Sequence, residues 1–198
     1  MKLTPHAFGG REPKADAPVY QEFETKMHKI LQDLHLLQQR NDYGEAHIVH
    51  GDARRIGEFL LPPGFANLDF AVTSPPYLNN LDYTMQTRLE LFFLDFVTDM
   101  ADLKRLREQM VVCDAKGIYK DSNDTQALTG VAREKVFAAA NAIGEKLKGR
   151  VWGWDYPRMT TEYFGGMARA FQGVHTVLKR SARFVVVVGA SSHMGVLV

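Results

Sequence analysis

A short apolar run, Leu68-Asp69-Phe70-Ala71-Val72-Thr73, leads directly into Ser74-Pro75-Pro76-Tyr77-Leu78-Asn79-Asn80-Leu81-Asp82-Tyr83. The run has the length and content of a buried strand. Two consecutive prolines then stiffen the chain, because each ring fixes φ. A hydroxyl, two prolines and an aromatic ring at a strand's carboxyl end make a rigid polar rim beside a flat apolar face. Such a rim suits the capture of a planar ring that carries an amino group.

At 198 residues the chain is long enough for one domain with a real core, and 45% hydrophobic content fits a soluble globular protein. Basic and acidic residues number 24 and 23, so whole-chain charge gives no argument for nucleic acid and any basic surface must be local. The single Cys113 excludes an intrachain disulfide and fits a reducing cytoplasm, where it reads as a buried small hydrophobe. No signal peptide opens the chain, and no apolar run approaches the roughly 20 residues that cross a bilayer. A soluble cytoplasmic protein with no membrane partner is the expectation.

Residues 1–18, with three prolines and two glycines, read as a flexible arm. From Tyr20 to Arg40 the residues Tyr20, Phe23, Met27, Ile30, Leu31, Leu34 and Leu37 recur at three and four, which predicts an amphipathic helix packed into the core. Ala46–His50 is a candidate strand ended by Gly51-Asp52. A brief helix is expected over Ala53–Leu60, then a turn at Pro62-Pro63-Gly64 and the strand Leu68–Thr73. Thr84–Leu106 reads as mostly helical with a break near Thr98. Residues 109–130 read as a surface loop insertion, Val131–Lys148 and Met159–Leu178 as helices, and Phe184–Val188 as a second buried strand. Strands alternating with helices predict an α/β fold with a mainly parallel sheet, whose ligands bind at the carboxyl ends of the strands. Asp52, Ser74 and Gly189 would share that edge.

Val72-Thr73-Ser74-Pro75-Pro76-Tyr77, preceded by His50-Gly51-Asp52-Ala53-Arg54, resembles the amino-group DNA methyltransferases, which methylate cytosine N4 or adenine N6 with S-adenosylmethionine. The Ser form of the motif leans toward cytosine N4. The resemblance covers roughly residues 46 to 97 and 160 to 196. It implies a Rossmann-like class I methyltransferase sheet with flanking helices, a DNA partner and a place in restriction–modification. It also implies a catalytic group of Ser74, Pro75, Pro76 and Tyr77. Asp52, Gly51 and Thr73 would lie beside the cofactor, with Asp52 accepting from the adenine amine. No metal is implied.

The chemistry explains these residue types. An exocyclic amine conjugated to a base ring is a poor nucleophile, because its lone pair is delocalised. Two acceptors on its hydrogens draw the nitrogen toward tetrahedral geometry and free that pair for in-line attack on a methylsulfonium. By resemblance these are the Ser74 hydroxyl and the Pro75 carbonyl, held ready before the reaction. Tyr77 would stack on a base swung out of the duplex. The bland reading makes Pro75-Pro76 a rigid turn, Tyr77 a core aromatic and Asp52 a helix N-cap.

Lys146, Lys148, Arg150 and Arg158 interleave with Trp152, Trp154 and Tyr156. This pattern suits a strand-binding surface or, alternatively, a solvated helix end followed by core aromatics. The histidines, His175 and His193 among them, lack metal-ligand spacing and read as structural or solvated. The family's glycine-rich loop after the first strand has no counterpart: Phe8-Gly9-Gly10 follows no strand, and Tyr163-Phe164-Gly165-Gly166 sits inside a helical pattern. With Ala46–His50 as the family's third strand and Leu68–Thr73 as its fourth, the central strands are missing. Residues 19–198 thus read as a partial catalytic domain, inactive without a complementary segment carrying the glycine loop. Other expectations are a methyltransferase for RNA or a protein amide, and a non-catalytic remnant that keeps the fold.

Overall fold

A computed structural model of the chain describes residues 16–40, 44–59 and 67–198. Phe8-Gly9-Gly10, most of the expected arm and the Pro62-Pro63-Gly64 turn lie outside the described residues. Contacts divide the chain into residues 1–48 and 49–198.

In the first unit, helix α1 spans Val19–Gln38. The expected helix is present, but its apolar stripe is not core, for none of its residues is buried. Within this unit no other described element could cover it. The expected strand Ala46–His50 is irregular backbone. A lone extended segment loses chain entropy without gaining a hydrogen-bonded neighbour, so a strand does not form there.

The second unit is mixed α/β. Asp52 opens a 3₁₀ helix, Ala53–Glu58, by accepting from the Arg54 backbone N–H at 2.9 Å. Strand β1 is Leu68–Thr73. Helices α2 (Tyr83–Gln86), α3 (Arg88–Phe93) and α4 (Met100–Glu108) follow, with the break near Thr98 as expected. Helix α5 spans Gly130–Leu147, α6 spans Tyr156–Val177, and strand β2 runs straight on from Leu178 to Val186. A small hairpin of β3 (Ser192–His193) and β4 (Val196–Leu197) ends the chain. Strands β1 and β2 are parallel, in regular register from Phe70 beside Arg183 to Thr73 beside Val186.

The two strands are not buried as expected. One face, with Ala71, Thr73 and Phe184, turns toward α6, where Phe171 and Phe184 meet edge to face at 5.3 Å. The opposite face is open, and Phe70 and Val72 there are 52% and 65% exposed. A sheet covered on one side buries alternate residues only. Among the described residues no strand pairs with the second edge of β1. Asp69 in β1 is tied to Lys179 in β2 at 2.7 Å.

Helix α6 is the centre of the unit. Residues Met159 to Tyr163, Gly165 to Met167 and Ala170 are all buried. Its polar members are satisfied locally: the Thr160 hydroxyl donates to Tyr156 O, and Glu162 accepts from the Thr125 N–H. Segment 109–130, expected as a surface loop, instead lies against α6. Val112, Cys113 and Leu128 are core residues, and Asp114 and Asp124 are buried. The acids hide this from view, but Asp114 caps its own 3₁₀ turn by accepting from Lys116 and Gly117. Gly165 is where the segment comes closest, since a Cβ there would sit 2.1 Å from the Asp124 carbonyl oxygen. That neighbour is backbone and cannot swing aside. Gly165→Ala is expected to lower unfolding free energy by about 1–3 kcal/mol, measured by urea denaturation; an unchanged midpoint would refute the close contact.

Candidate functional site

The backbone from Thr73 to Asp82 is pinned at almost every step. Thr73 O accepts from Val187 N–H at 2.9 Å, which aligns the motif with the end of β2. Pro76 O accepts the Tyr163 hydroxyl of α6 at 2.9 Å. Tyr77 N–H donates to the Tyr83 hydroxyl at 3.3 Å, and Tyr77 O accepts from Asn79 N–H at 2.8 Å. His193 Nε2 lies 3.0 Å from Leu78 O; a carbonyl only accepts, so this ring nitrogen carries the proton. Cys113 Sγ donates to Leu81 O at 3.3 Å. Asp82 caps α2 and meets Arg107 at 2.8 Å.

Among the described residues the carbonyls of Ser74, Pro75, Asn79 and Asn80 stand apart from this set and accept nothing, and Pro75 is itself buried. The Ser74 side chain is exposed, and its Oγ has one neighbour, the Tyr77 hydroxyl at 3.3 Å. Tyr77 is half-buried, and a Cβ on Gly189 would touch its ring edge at 3.6 Å. Thus Ser74, Tyr77 and Gly189 do gather at one end of the sheet. An apolar cavity of about 380 Å³ adjoins them, lined by Thr73, Ser74, Pro75 and Pro76 on one side and by Ala53, Ile56 and Phe171 on others.

Asp52 precedes Ala53 but lines a separate polar cavity of about 710 Å³, with Arg54, Asp124 and Arg169, and belongs to an ion-pair network. Arg54 grips it in a fork, with Nη2 2.7 Å and Nε 3.1 Å from Oδ2. The same guanidinium meets Asp124 at 2.7 Å, and Arg169 Nε lies 3.0 Å from Asp124 Oδ1, off the line of a hydrogen bond. Burial opposes ionisation of Asp52, but the Arg54 side-chain and backbone hydrogen bonds outweigh it and hold the carboxyl below its ordinary range. Burial likewise opposes the charge on Arg54, and its two carboxylate partners raise its pKa in spite of that. Gly51, the other expected cofactor neighbour, has its open side filled by the Phe59 ring, 2.1 Å from a Cβ placed there. Thr73 lines the apolar cavity beside Ser74.

Sequence reasoning missed Tyr163, Arg54, Asp124 and His193 as supports of this site. Tyr163 and His193 meet carbonyls far away in the chain, and Arg54 joins its near neighbour Asp52 to the remote Asp124, so no local pattern carries the whole signal. Tyr163-Phe164-Gly165-Gly166 is helical, as expected, and it also supplies a hydroxyl and a close approach. Cys113 is buried, as expected, and burial first, with the nearby Asp114 and Asp82 charges, pushes its thiol up to about 12. Among the described residues no cluster of His, Cys, Asp or Glu suits a metal ion, and no helix is long and apolar enough to cross a membrane.

No family model, curated protein or solved structure matches this chain.

Tyr163→Phe keeps the ring and deletes the donor to Pro76 O. A loss of about 1–3 kcal/mol is expected in denaturant titration; no change would mean that the carbonyl finds water. The Cys113 thiol should be silent to Ellman's reagent at pH 8 until the chain unfolds. Its folded pKa is raised, so the stability it contributes is full below the ordinary value of 9.0 and drains as pH rises toward 12. Rapid native labelling would contradict this burial.

Proposed function

We propose that this chain is the base-binding part of an S-adenosylmethionine-dependent DNA methyltransferase that modifies the exocyclic amine of a flipped base, with cytosine N4 favoured by Ser74. The observation that carries this reading is the contrast between occupied and open acceptors. Six carbonyls, at Thr73, Pro76, Tyr77, Leu78, Leu81 and Asp82, are taken; of the four that accept nothing among the described residues, that of Pro75, a buried residue lining the apolar cavity, stands next in the chain to the exposed Ser74 hydroxyl. An amine has two hydrogens, and two adjacent acceptors on a rigid support match it. The double-proline turn fixes one acceptor, and the hydrogen bond to Pro76 O keeps the turn from rotating.

In this reading the Tyr77 ring stacks on the base. Ser74 and the Pro75 carbonyl would hold the amine nitrogen for attack on the donor's methyl group, and the bonding pair would stay with the donor's sulfur. The surplus amine proton leaves along the hydrogen bond to Ser74, which faces solvent. When bound, S-adenosylmethionine supplies the electrophilic methyl group. The residues present fit one end of it. The apolar cavity beside Thr73 and Ser74 suits a flat ring; Asp52 stands one residue before Ala53 of its lining, with its carboxylate held by Arg54. The space at Gly51 belongs to Phe59, and the described residues offer no glycine cradle for the methionine end. The unpaired edge of β1 and the open Phe70–Val72 face support a Rossmann-like sheet completed by a complementary segment that carries that cradle.

Methyl transfer from radiolabelled S-adenosylmethionine to duplex DNA, by the chain mixed with the products of its flanking coding sequences, tests the reading. Activity in the mixture is expected, with the product in cytosine, and Ser74→Ala should lower kcat about 10²- to 10³-fold. Label in RNA or protein alone would redirect the substrate. A mixture that binds the cofactor yet transfers to nothing would sink the proposal.

A further inference from the structure

The loop between α5 and α6 presents both tryptophans of the chain to solvent. Gly149 and Gly153, each at φ +78°, bracket it with left-handed turns that a side chain would strain. Between and beyond them Trp152 is 50% exposed and Trp154 76% exposed. The alternative that places these rings in the core is therefore excluded. The Arg150 guanidinium lies 5.3 Å from the Trp152 ring centroid, a cation held over an aromatic face. From residue 146 to 158 the chain carries Lys146, Lys148, Arg150 and Arg158 against the single acid Asp155. Lys148 is engaged by Glu145, but among the described residues Lys146 and Arg150 meet no carboxylate.

Two contacts fix this loop to the Ser74–Tyr83 segment. The Tyr156 hydroxyl accepts from Asn80 Nδ2 at 3.2 Å. The Tyr156 ring also packs on His193 at 5.1 Å, and His193 holds Leu78 O. Tyr156 stands two residues from Trp154, so the exposed rings are anchored to the segment that carries the motif.

We propose that the 149–156 loop holds a single-stranded stretch of DNA next to the target base, with Trp152 and Trp154 stacking on bases and Lys146 and Arg150 meeting phosphates. Exposed flat rings beside cations that no described carboxylate engages complement an unpaired strand, which presents a π face at each base and a charge at each linkage. An apolar protein partner would leave those cations buried and unmatched. This inference rests on the DNA reading above and adds where the strand beside the flipped base is carried.

Because the chain has two tryptophans and both lie in this loop, its intrinsic tryptophan emission reports on the loop alone. Titration of the full chain with a single-stranded deoxythymidine oligomer, without methyl donor, is expected to quench that emission. Trp154→Ala should weaken binding about 5- to 100-fold. Lys146→Gln and Arg150→Gln should each lower the slope of log affinity against log salt by about 1. Far-UV circular dichroism of the variants confirms that the fold is kept. Absence of quenching overturns the proposal. Quenching matched by heparin and unchanged in Trp154→Ala, which denotes charge contact alone, does so as well. Oligomer binding needs no methyl transfer, so an inactive enzyme that still shows Trp154-dependent quenching removes the proposed reaction and leaves the strand contact standing.

Discussion

Helix α6 can sit at the centre of the 49–198 unit because it lacks side chains where other segments cross it. At Gly165 the backbone of Asp124 and Thr125 lies where a Cβ would be. At Gly166 the space is shared by Val111, Asp124 and Arg54, and at Gly173 by Ile56. Each glycine weakens the helix slightly, by roughly 1 kcal/mol relative to alanine. Three close approaches offset this with packing that a smooth helix would not allow. The Arg54–Asp124–Arg169 network, the 3₁₀ helix after Asp52 and the turn at Asp124 all take their positions from it.

The motif depends on the same helix. Tyr163 stands two residues before Gly165, so the close approach that seats the 109–130 segment also sets the height at which the Tyr163 hydroxyl meets Pro76. The hydroxyl is pushed up to about 12, chiefly by burial, and so remains a neutral donor under all ordinary conditions. Rigidity at Ser74 and Pro75 is therefore borrowed from a helix about ninety residues away in sequence.

Much of this was legible in the sequence. Periodicity located α1, α5 and α6, and the apolar run gave β1 with its boundaries. The parallel pairing of β1 and β2 also followed from the alternation of elements. What could not be read was burial. The stripe of α1 and the valines of β1 and β2 looked like core, yet an apolar side chain is buried only if something lies over it, and the sequence does not say what does. Conversely, Asp114 and Asp124 made 109–130 look like surface, because a buried acid is recognisable only once its donors are known. The candidate site divides in the same way. Ser74 to Tyr77 were visible as a motif, whereas the hydroxyl, imidazole and guanidinium that fix their surroundings come from remote parts of the chain.

The ion pair of Asp69 with Lys179 bears on how β1 is held. An exposed strand edge invites any extended chain, including another copy of itself. Parallel, in-register stacking of two β1 strands would bring their Asp69 carboxylates to about 4.8 Å, the spacing of neighbouring strands. In each copy, however, Lys179 reaches across from β2 and neutralises its own Asp69, so these carboxylates do not keep two copies apart. The ion pair instead ties β1 to β2 at the irregular start of their ladder, where the register shifts between Leu68 and Phe70. The strand that leads into the motif is thereby held at both ends, while its second edge, unpaired among the described residues, is left to an extended partner.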